Sequence, residues 1–291
     1  MTGSKPLHSV VCIKQVPDSA QIRVHPVTNT IMRQGVPTII NPFDLFALEE
    51  ALRLRDRLGG SVTVLCMGPM TAEDSLRKAL TFGADRAVLL SDRYFAGSDT
   101  LATSYALSMA LEQIGRTFGT PDVVFTGKQT IDGDTAQVGP GIARRLGYNQ
   151  LTYISKIREL DPAAGVLTVE RRAEGGTQVL ETRLPVLITM LEGTNEMRRG
   201  GIDTALAAAK AEVTIWNAAA VGIEDLTRCG LRGSPTIVKK VFAPSARSEK
   251  AVMIPVEGTP YESARAVIEA MFARLPDVEA QLLETAAQSA Y

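Results

Sequence analysis

Apolar residues follow two rhythms along this chain. Up to residue 148, short β-branched runs alternate with stretches in which leucine and alanine recur at helical spacing. "HSVVCIKQV" (8–16) reads as a strand, and "IRVHPVTNTIM" as a small hairpin after it. "NPFDLFALEEALRLRDRLGG" reads as a helix: Asn41 as N-cap, Pro42 in the first position, Asp44 in the first turn, Gly59-Gly60 as stop. "SVTVLCMG" (61–68), "RAVLL" (86–90) and "PDVVFTG" (121–127) are further strands. Between them, "TAEDSLRKALTFG" carries a capping-box pair, Thr71 and Asp74. "GSDTLATSYALSMALEQIG" is capped by Ser98 or Asp99, and "DTAQVGPGIARRLG" is a fourth helix. Strand–helix alternation of this kind predicts a parallel sheet covered on both faces. Ligands of such sheets sit at the carboxyl ends of the strands, near a switch point. The loops starting near Cys12, Met67, Ser91 and Gly127 should therefore share one edge.

After Tyr148 the rhythm becomes two-residue. "LTYISKIREL", "GVLTVERRA" and "TQVLETRLPVLITM" predict antiparallel strands, with "DPAAG" and "EGG" as turns. A polar loop, "LEGTNEMRRGG", leads into a short helix of small side chains, "IDTALAAAKAE". The stretch from 211 has few core-like runs. It closes with "TPYESARAVIEAMFARL", where Thr259, Pro260 and Glu262 start a helix with Val267, Ile268, Met271 and Phe272 on one face. Such a tail can pack on its own domain or on a partner. There is no internal repeat.

Composition narrows the classes. The chain has 291 residues, 45% hydrophobic and 22% charged, with net charge −1. No basic patch points to nucleic acid, and no apolar run approaches the ~20 residues of a membrane span. The N-terminus has no signal-peptide core, so the expected location is the cytoplasm. Cys12, Cys66 and Cys229 are too scattered for an iron–sulfur cluster or a disulfide framework, and read as buried small apolar residues. His8 and His25 are isolated, without a second metal ligand at useful spacing.

The chemistry concentrates in "TGKQTIDGDTAQVGPGIARRLG" (126–147), where a strand ends in a Gly-and-Asp turn before a helix. A helix N-terminus there offers free N–H groups and partial positive charge, the usual seat of phosphate. Thr135 adds a hydroxyl and Gln137 an amide. Gly127 and Gly133 admit close backbone approach, and Pro140 costs nothing in a first turn. Asp132 and Asp134 oppose phosphate: like charges ~4 Å apart cost roughly 4 kcal/mol at an effective dielectric near 20. These acids should cap the helix, tighten the turn or take sugar hydroxyls. The motif is neither G-x-G-x-x-G nor a Walker loop. On local features a ligand-free capped turn and a nucleotide-sized anion site both remain open.

Four stretches in order, "KQVPDSAQI", "NPFDLFALEEALRL", "GKQTIDGDTAQVGP" and "VERRAEGGTQVLETRLPVLIT" (169–189), resemble the β subunit of electron transfer flavoprotein. The last carries that family's signature: Val169, Arg171, Glu174, Gly175, Gly176, Gln178, Leu180, Pro185 and Leu187-Ile188-Thr189. The match runs through about residue 240. The resemblance implies an α/β adenine-nucleotide-binding fold, HUP-like and Rossmann-like, with an added antiparallel strand region and a C-terminal arm. It implies a nucleotide-binding domain over 1–191, a partner-recognition loop and helix over 192–210, and an arm over 211–291 that packs on an α subunit carrying a redox FAD.

The family's nucleotide site maps onto Cys12, Asn41, Phe43, Asp44 and Met67, and onto Gly127, Lys128, Gln129, Thr130, Asp132, Asp134, Thr135, Ala136, Gln137 and Val138. One branch holds a structural AMP there. The electron-bifurcating branch, which includes the nitrogen-fixation-linked proteins, holds a second FAD. In that branch NADH delivers a hydride to the β-subunit flavin, and the electrons part toward a high-potential quinone-linked acceptor and a low-potential ferredoxin or flavodoxin. The AMP branch reads with a further acid and Asn-Gln-Thr-Gly in this turn; here stand Gly133 and Thr135-Ala136-Gln137-Val138-Gly139-Pro140, which resemble the bifurcating branch. The expectation is FAD, with AMP as the alternative. Thr194 stands where the AMP branch exposes a leucine to acyl-CoA dehydrogenases, which argues against that partner. No side chain is needed as acid, base or nucleophile. Ser19 and the Ser98–Thr100 helix start are further candidates near a flavin ring, and Arg171 and Arg172 read as a solvated strand face. The rivals are a universal-stress-type ATP-binding sensor and an ATP-cleaving enzyme of the same fold; for the second, "KQVPDSA" lacks the glycine-rich loop.

Overall fold

The structure is a computed structural model that describes residues 6–18, 23–24, 31–32, 37–237, 251, 253–254 and 258–289. The chain forms two compact units, Met1–Phe242 and Ala243–Tyr291.

The first unit begins with β1 (His8–Ile13), β2 (Gln15–Pro17), β3 (Arg23–Val24), β4 (Ile31–Met32), β5 (Thr38–Ile40) and α1 (Pro42–Leu58). It continues through β6 (Ser61–Met67), α2 (Glu73–Thr81), β7 (Arg86–Leu90), α3 (Thr100–Phe118), β8 (Val123–Gly127) and α4 (Val138–Leu146). Then come β9 (Asn149–Asp161), β10 (Val166–Ala173), β11 (Gly176–Arg183), β12 (Val186–Met190), α5 (Ile202–Lys210) and β13 (Val213–Trp216). Among the described residues the main sheet has the order β11-β10-β9-β12-β8-β1-β6-β7-β13. From β9 to β13 in that order neighbouring strands run parallel; β10 and β11 add an antiparallel extension. The mixed α/β class expected from the sequence is the one found.

Period-two alternation builds two cores from the same strands. Val11 and Ile13 of β1 face one layer with Leu48, Ala51 and Leu52 of α1 and Leu76 and Ala79 of α2. Val10 and Cys12 face the other, with Ala106, Ala110 and Ile114 of α3 and Ile142 and Ala143 of α4. β1 lies between β6 and β8, so successive crossovers leave it in opposite directions. That is a topological switch point, and the loops after β1 and β8 open beside each other there.

The structure corrects several element readings. The third antiparallel run breaks at Pro185, which has no N–H for a ladder. Its second half becomes β12, parallel between β9 and β8. The Thr71–Asp74 capping box does not form: a 3₁₀ turn, Met70–Ala72, precedes α2, and its backbone bonds satisfy the first N–H groups without a side-chain cap. The fourth helix starts at Val138, later than the expected 134. β13 has no counterpart among the expected elements; it pairs with β7, and Ala218, Val221, Ile223 and Cys229 behind it enter the second core.

The expected hairpin appears as the β3–β4 pair, and Ser19 and His25 lie outside the described residues. In the second unit, Thr259 caps α6 (Pro260–Arg274) through the full capping box with Glu262, and α7 (Pro276–Ser289) follows. Val267, Ile268 and Met271 of α6 are exposed.

The 192–199 loop is fastened to α1. Asn195 Nδ2 donates to the Phe46 carbonyl (2.9 Å). Arg198 donates through Nε and Nη2 to Glu49 (2.9 and 3.1 Å) and through Nη1 to Asp56 (2.6 Å). The Glu49 side chain is only 5% exposed. Burial would raise its pKa, but the hydrogen bonds of Arg198 and Arg53 outweigh it and hold the carboxylate below its usual range. Arg198→Ala leaves Glu49 with Arg53 and the residue-198 backbone N–H, an expected cost of about 2 kcal/mol at neutral pH. The cost shrinks as pH falls through the depressed Glu49 pKa, because the lost pairing needs the ionised form. Urea midpoints at pH 7 and at low pH check this.

Candidate functional site

The switch-point edge is assembled by two side chains of the α1 entry. Asn41, fully buried, starts α1 but does not cap it with its side chain. Its Nδ2 donates to the Gln129 carbonyl (2.9 Å) and its Oδ1 accepts the Ile131 N–H (3.2 Å). Its own N–H donates to the Lys14 carbonyl (2.8 Å). Asp44, 4% exposed, accepts the Lys14 N–H on Oδ2 (2.8 Å) and the Gly127 N–H on Oδ1 (3.1 Å). One carboxylate thus joins the end of β1 to the end of β8. Burial outweighs these bonds and pushes the Asp44 pKa up to about 7. Gly127 is demanded by closeness: a Cβ there would meet Asp44 Oδ1 and the Phe43 carbonyl carbon at 2.6 Å.

The turn between β8 and α4 is shaped around its own polar groups. The Asp134 N–H donates to the Thr130 carbonyl (2.9 Å). Asp134 has φ +51° and Ala136 +55°, left-handed values that side chains rarely take. Gln137, the N-cap of α4, has right-handed φ −97° and ψ −24°. A left-handed residue beside a right-handed one turns successive N–H groups to one side, an anion-binding concavity. Among the described residues the N–H groups of Thr135, Ala136, Gln137, Val138 and Gly139 have no protein acceptor. They add to the dipole of α4.

Both acids of the turn are drawn aside. Asp132 is held by Lys14 Nζ (2.8 and 2.7 Å), which, against the effect of burial, keeps its pKa below the usual range. Asp134 accepts Gln129 Nε2 (2.7 Å). Neither caps α4. Thr100 Oγ1 donates to Gln137 Oε1 (2.8 Å) and ties the start of α3 to that of α4. Lys128 sits over the Phe43 ring (5.1 Å to the centroid) and pairs with Glu192 (3.2 Å), which also faces Arg172 (3.6 Å).

The structure thus brings Asn41, Phe43, Asp44 and Gly127 to Val138 to one edge. Met67 ends β6, half-buried against the second core. Cys12 is inside that core, and burial followed by Asp44 and Cys66 pushes its thiol far above the ordinary value, which makes it a packing group. Lys14, absent from the expected set, is the partner of both Asp44 and Asp132; its position at the end of the first strand was the available signal. Arg172 is exposed and Arg171 donates to the Thr152 carbonyl (3.1 Å). No group of His, Cys, Asp and Glu suited to a metal occurs among the described residues. No helix there is long and apolar enough to cross a membrane.

A doubly covered parallel sheet with an amide-rich turn at its switch point is an α/β architecture suited to holding an anionic ligand at that edge. The electron transfer flavoprotein domain matches residues 28–221, and the chain belongs to that family. It is 71% identical over 276 residues to Protein FixA of Azorhizobium caulinodans, covering 95% of this chain and 98% of that protein. Against Protein FixA of Azotobacter vinelandii the identity is 61% over 281 residues (96% and 100% covered). Against the electron transfer flavoprotein subunit beta of Clostridium acetobutylicum it is 47% over 234 residues (80% and 87%). Within the family the chain is a β subunit of the Fix branch, the partner of an α subunit in flavin-associated electron transfer. The sensor and the ATP-cleaving enzyme are thereby set aside.

Proposed function

We propose that this β subunit binds FAD at the switch-point edge and bifurcates electrons from NADH. Bound there, FAD would supply the redox chemistry: oxidation of NADH and division of its two electrons between a quinone-linked acceptor, reached through the α-subunit FAD, and a ferredoxin or flavodoxin. The protein supplies position and charge. The amides of Thr135 to Gly139 and the α4 dipole would take the diphosphate. Lys14 and Gln129 hold Asp132 and Asp134 away from it; Lys14 engages both oxygens of Asp132, and Asp134 keeps Oδ2 for ribityl or ribose hydroxyls. Asn41 and Asp44 fix the turn from below. The observation that carries this reading is the cluster of successive amides without protein acceptors, with both neighbouring acids already engaged. The absence of a side chain larger than alanine at 133 and 136 suits two phosphates as well as one. We place the heterodimer in the cytoplasm, in the nitrogen-fixation-linked system, with the second unit, Ala243–Tyr291, as the arm on the α subunit; residues 213–229 of the arm expected from 211 belong instead to the main sheet and second core.

The test is to purify the heterodimer, denature it and chromatograph what is released. Two FAD per heterodimer supports the proposal; FAD and AMP in equal amounts rejects it. Lys14→Met separates charge steering from folding. The Lys14–Asp132 pair is half-exposed, so stability should change by less than about 1 kcal/mol. The freed Asp132 carboxylate should nonetheless weaken nucleotide retention, measured by dialysis of the folded heterodimer.

A further inference from the structure

A cleft of about 240 Å³ lies apart from the switch-point edge, lined by Leu101, Tyr105, Arg145, Thr227, Arg228 and Gly233. Tyr105, 8% exposed, is its fixed element. Two guanidinium groups converge on its ring, Arg228 with Cζ at 3.9 Å from the centroid and Arg145 at 5.5 Å. Arg145 is oriented by Nε to Ser104 Oγ (3.3 Å) and Nη2 to the Leu101 carbonyl (3.2 Å), which leaves Nη1 over. Neither arginine has a carboxylate in salt-bridge contact among the described residues. Asp225 feels Arg228 through space, but its Oδ1 is taken by the Thr227 N–H (3.0 Å) and hydroxyl.

The ring attracts each guanidinium, while the two positive charges repel each other. A doubly charged oxyanion would remove that repulsion and accept Arg145 Nη1 together with the forked donors of Arg228. The cleft is smaller than the ~300–1,000 Å³ typical of cofactor sites, so it suits a small anion. We propose that this cleft binds a dianionic oxyanion of the phosphate class, either free or as the terminal group of a small ester.

The test uses the intact heterodimer saturated with FAD, so that the α4 amides are not in competition. Inorganic phosphate and glycerol phosphate are titrated in parallel, with binding read by equilibrium dialysis and ³¹P line broadening. The expected result is saturable binding that further FAD does not displace. Arg228→Ala should weaken it about tenfold or more, and Arg228→Lys should restore part of it. Preference between the two probes distinguishes the free ion from the ester. Absence of saturable binding of either probe, displacement by FAD, or unchanged binding in Arg228→Ala would overturn the proposal.

Discussion

Asp44→Ala is expected to cost about 3 kcal/mol near pH 5 and markedly less above pH 7. Removing the carboxyl strips the acceptor from the Lys14 and Gly127 N–H groups, both at the buried junction of β1, β8 and α1. Each unsatisfied buried donor costs roughly 1–3 kcal/mol. The pH dependence comes from the acid itself. Its folded pKa is raised from 3.8 to about 7, so between those values the folded state holds a proton that the unfolded chain has lost. Wild-type stability from this group is therefore fully present below pH ~4 and falls as pH rises through ~7, by at most about 4 kcal/mol. The alanine variant lacks that decline, so the gap between the two proteins narrows as pH rises. Urea unfolding of both proteins from pH 5 to 8 measures it. A gap that widens with pH would mean that the hydrogen bonds, not burial, dominate the acid.

Gly127→Ala is the second large effect. Its Cβ would stand 2.6 Å from Asp44 Oδ1 and from the Phe43 carbonyl carbon and Cβ. All three belong to the first turn of α1, and the two Phe43 atoms, a backbone carbon and a Cβ, cannot rotate aside as the end of a long side chain could. Overpacking of this kind costs about 1–3 kcal/mol. The turn that follows must shift with residue 127, so nucleotide content should fall even where the heterodimer still assembles. Gly201→Ala is the control, since nothing lies within 4 Å of its added Cβ and its φ is ordinary. A Gly127→Ala heterodimer with full stability and full nucleotide content would show that the close approach at α1 is dispensable.

Much of this edge was legible in the amino-acid sequence, because parallel strands place their following loops on one side. Strand periodicity at 8–13, 61–67 and 123–127 was enough to put the loops after β1, β6 and β8 on one edge, and the family resemblance added Asn41 and Asp44 to it. What those side chains do there was not legible. Asn41 and Asp44 read as ordinary helix-start residues, since capping and dipole arguments see only local sequence; the partners of their side chains are 30 to 90 residues away. The left-handed backbone at Asp134 and Ala136 carries no glycine signal, and it moved the helix start to Val138. β13 was missed because four residues between alanine-rich and polar stretches give too short a pattern to recognise. Its place is fixed by pairing with β7, a tertiary fact.

The amides at the head of α4 can be observed one by one. Backbone ¹H–¹⁵N spectra of the nucleotide-stripped heterodimer, recorded before and after FAD is restored, should show the largest shifts at Thr135, Ala136, Gln137, Val138 and Gly139. Their exchange with solvent should slow as they acquire acceptors. If FAD rebinds while those five signals stay in place, the flavin is held elsewhere and the assignment of the switch-point edge is wrong.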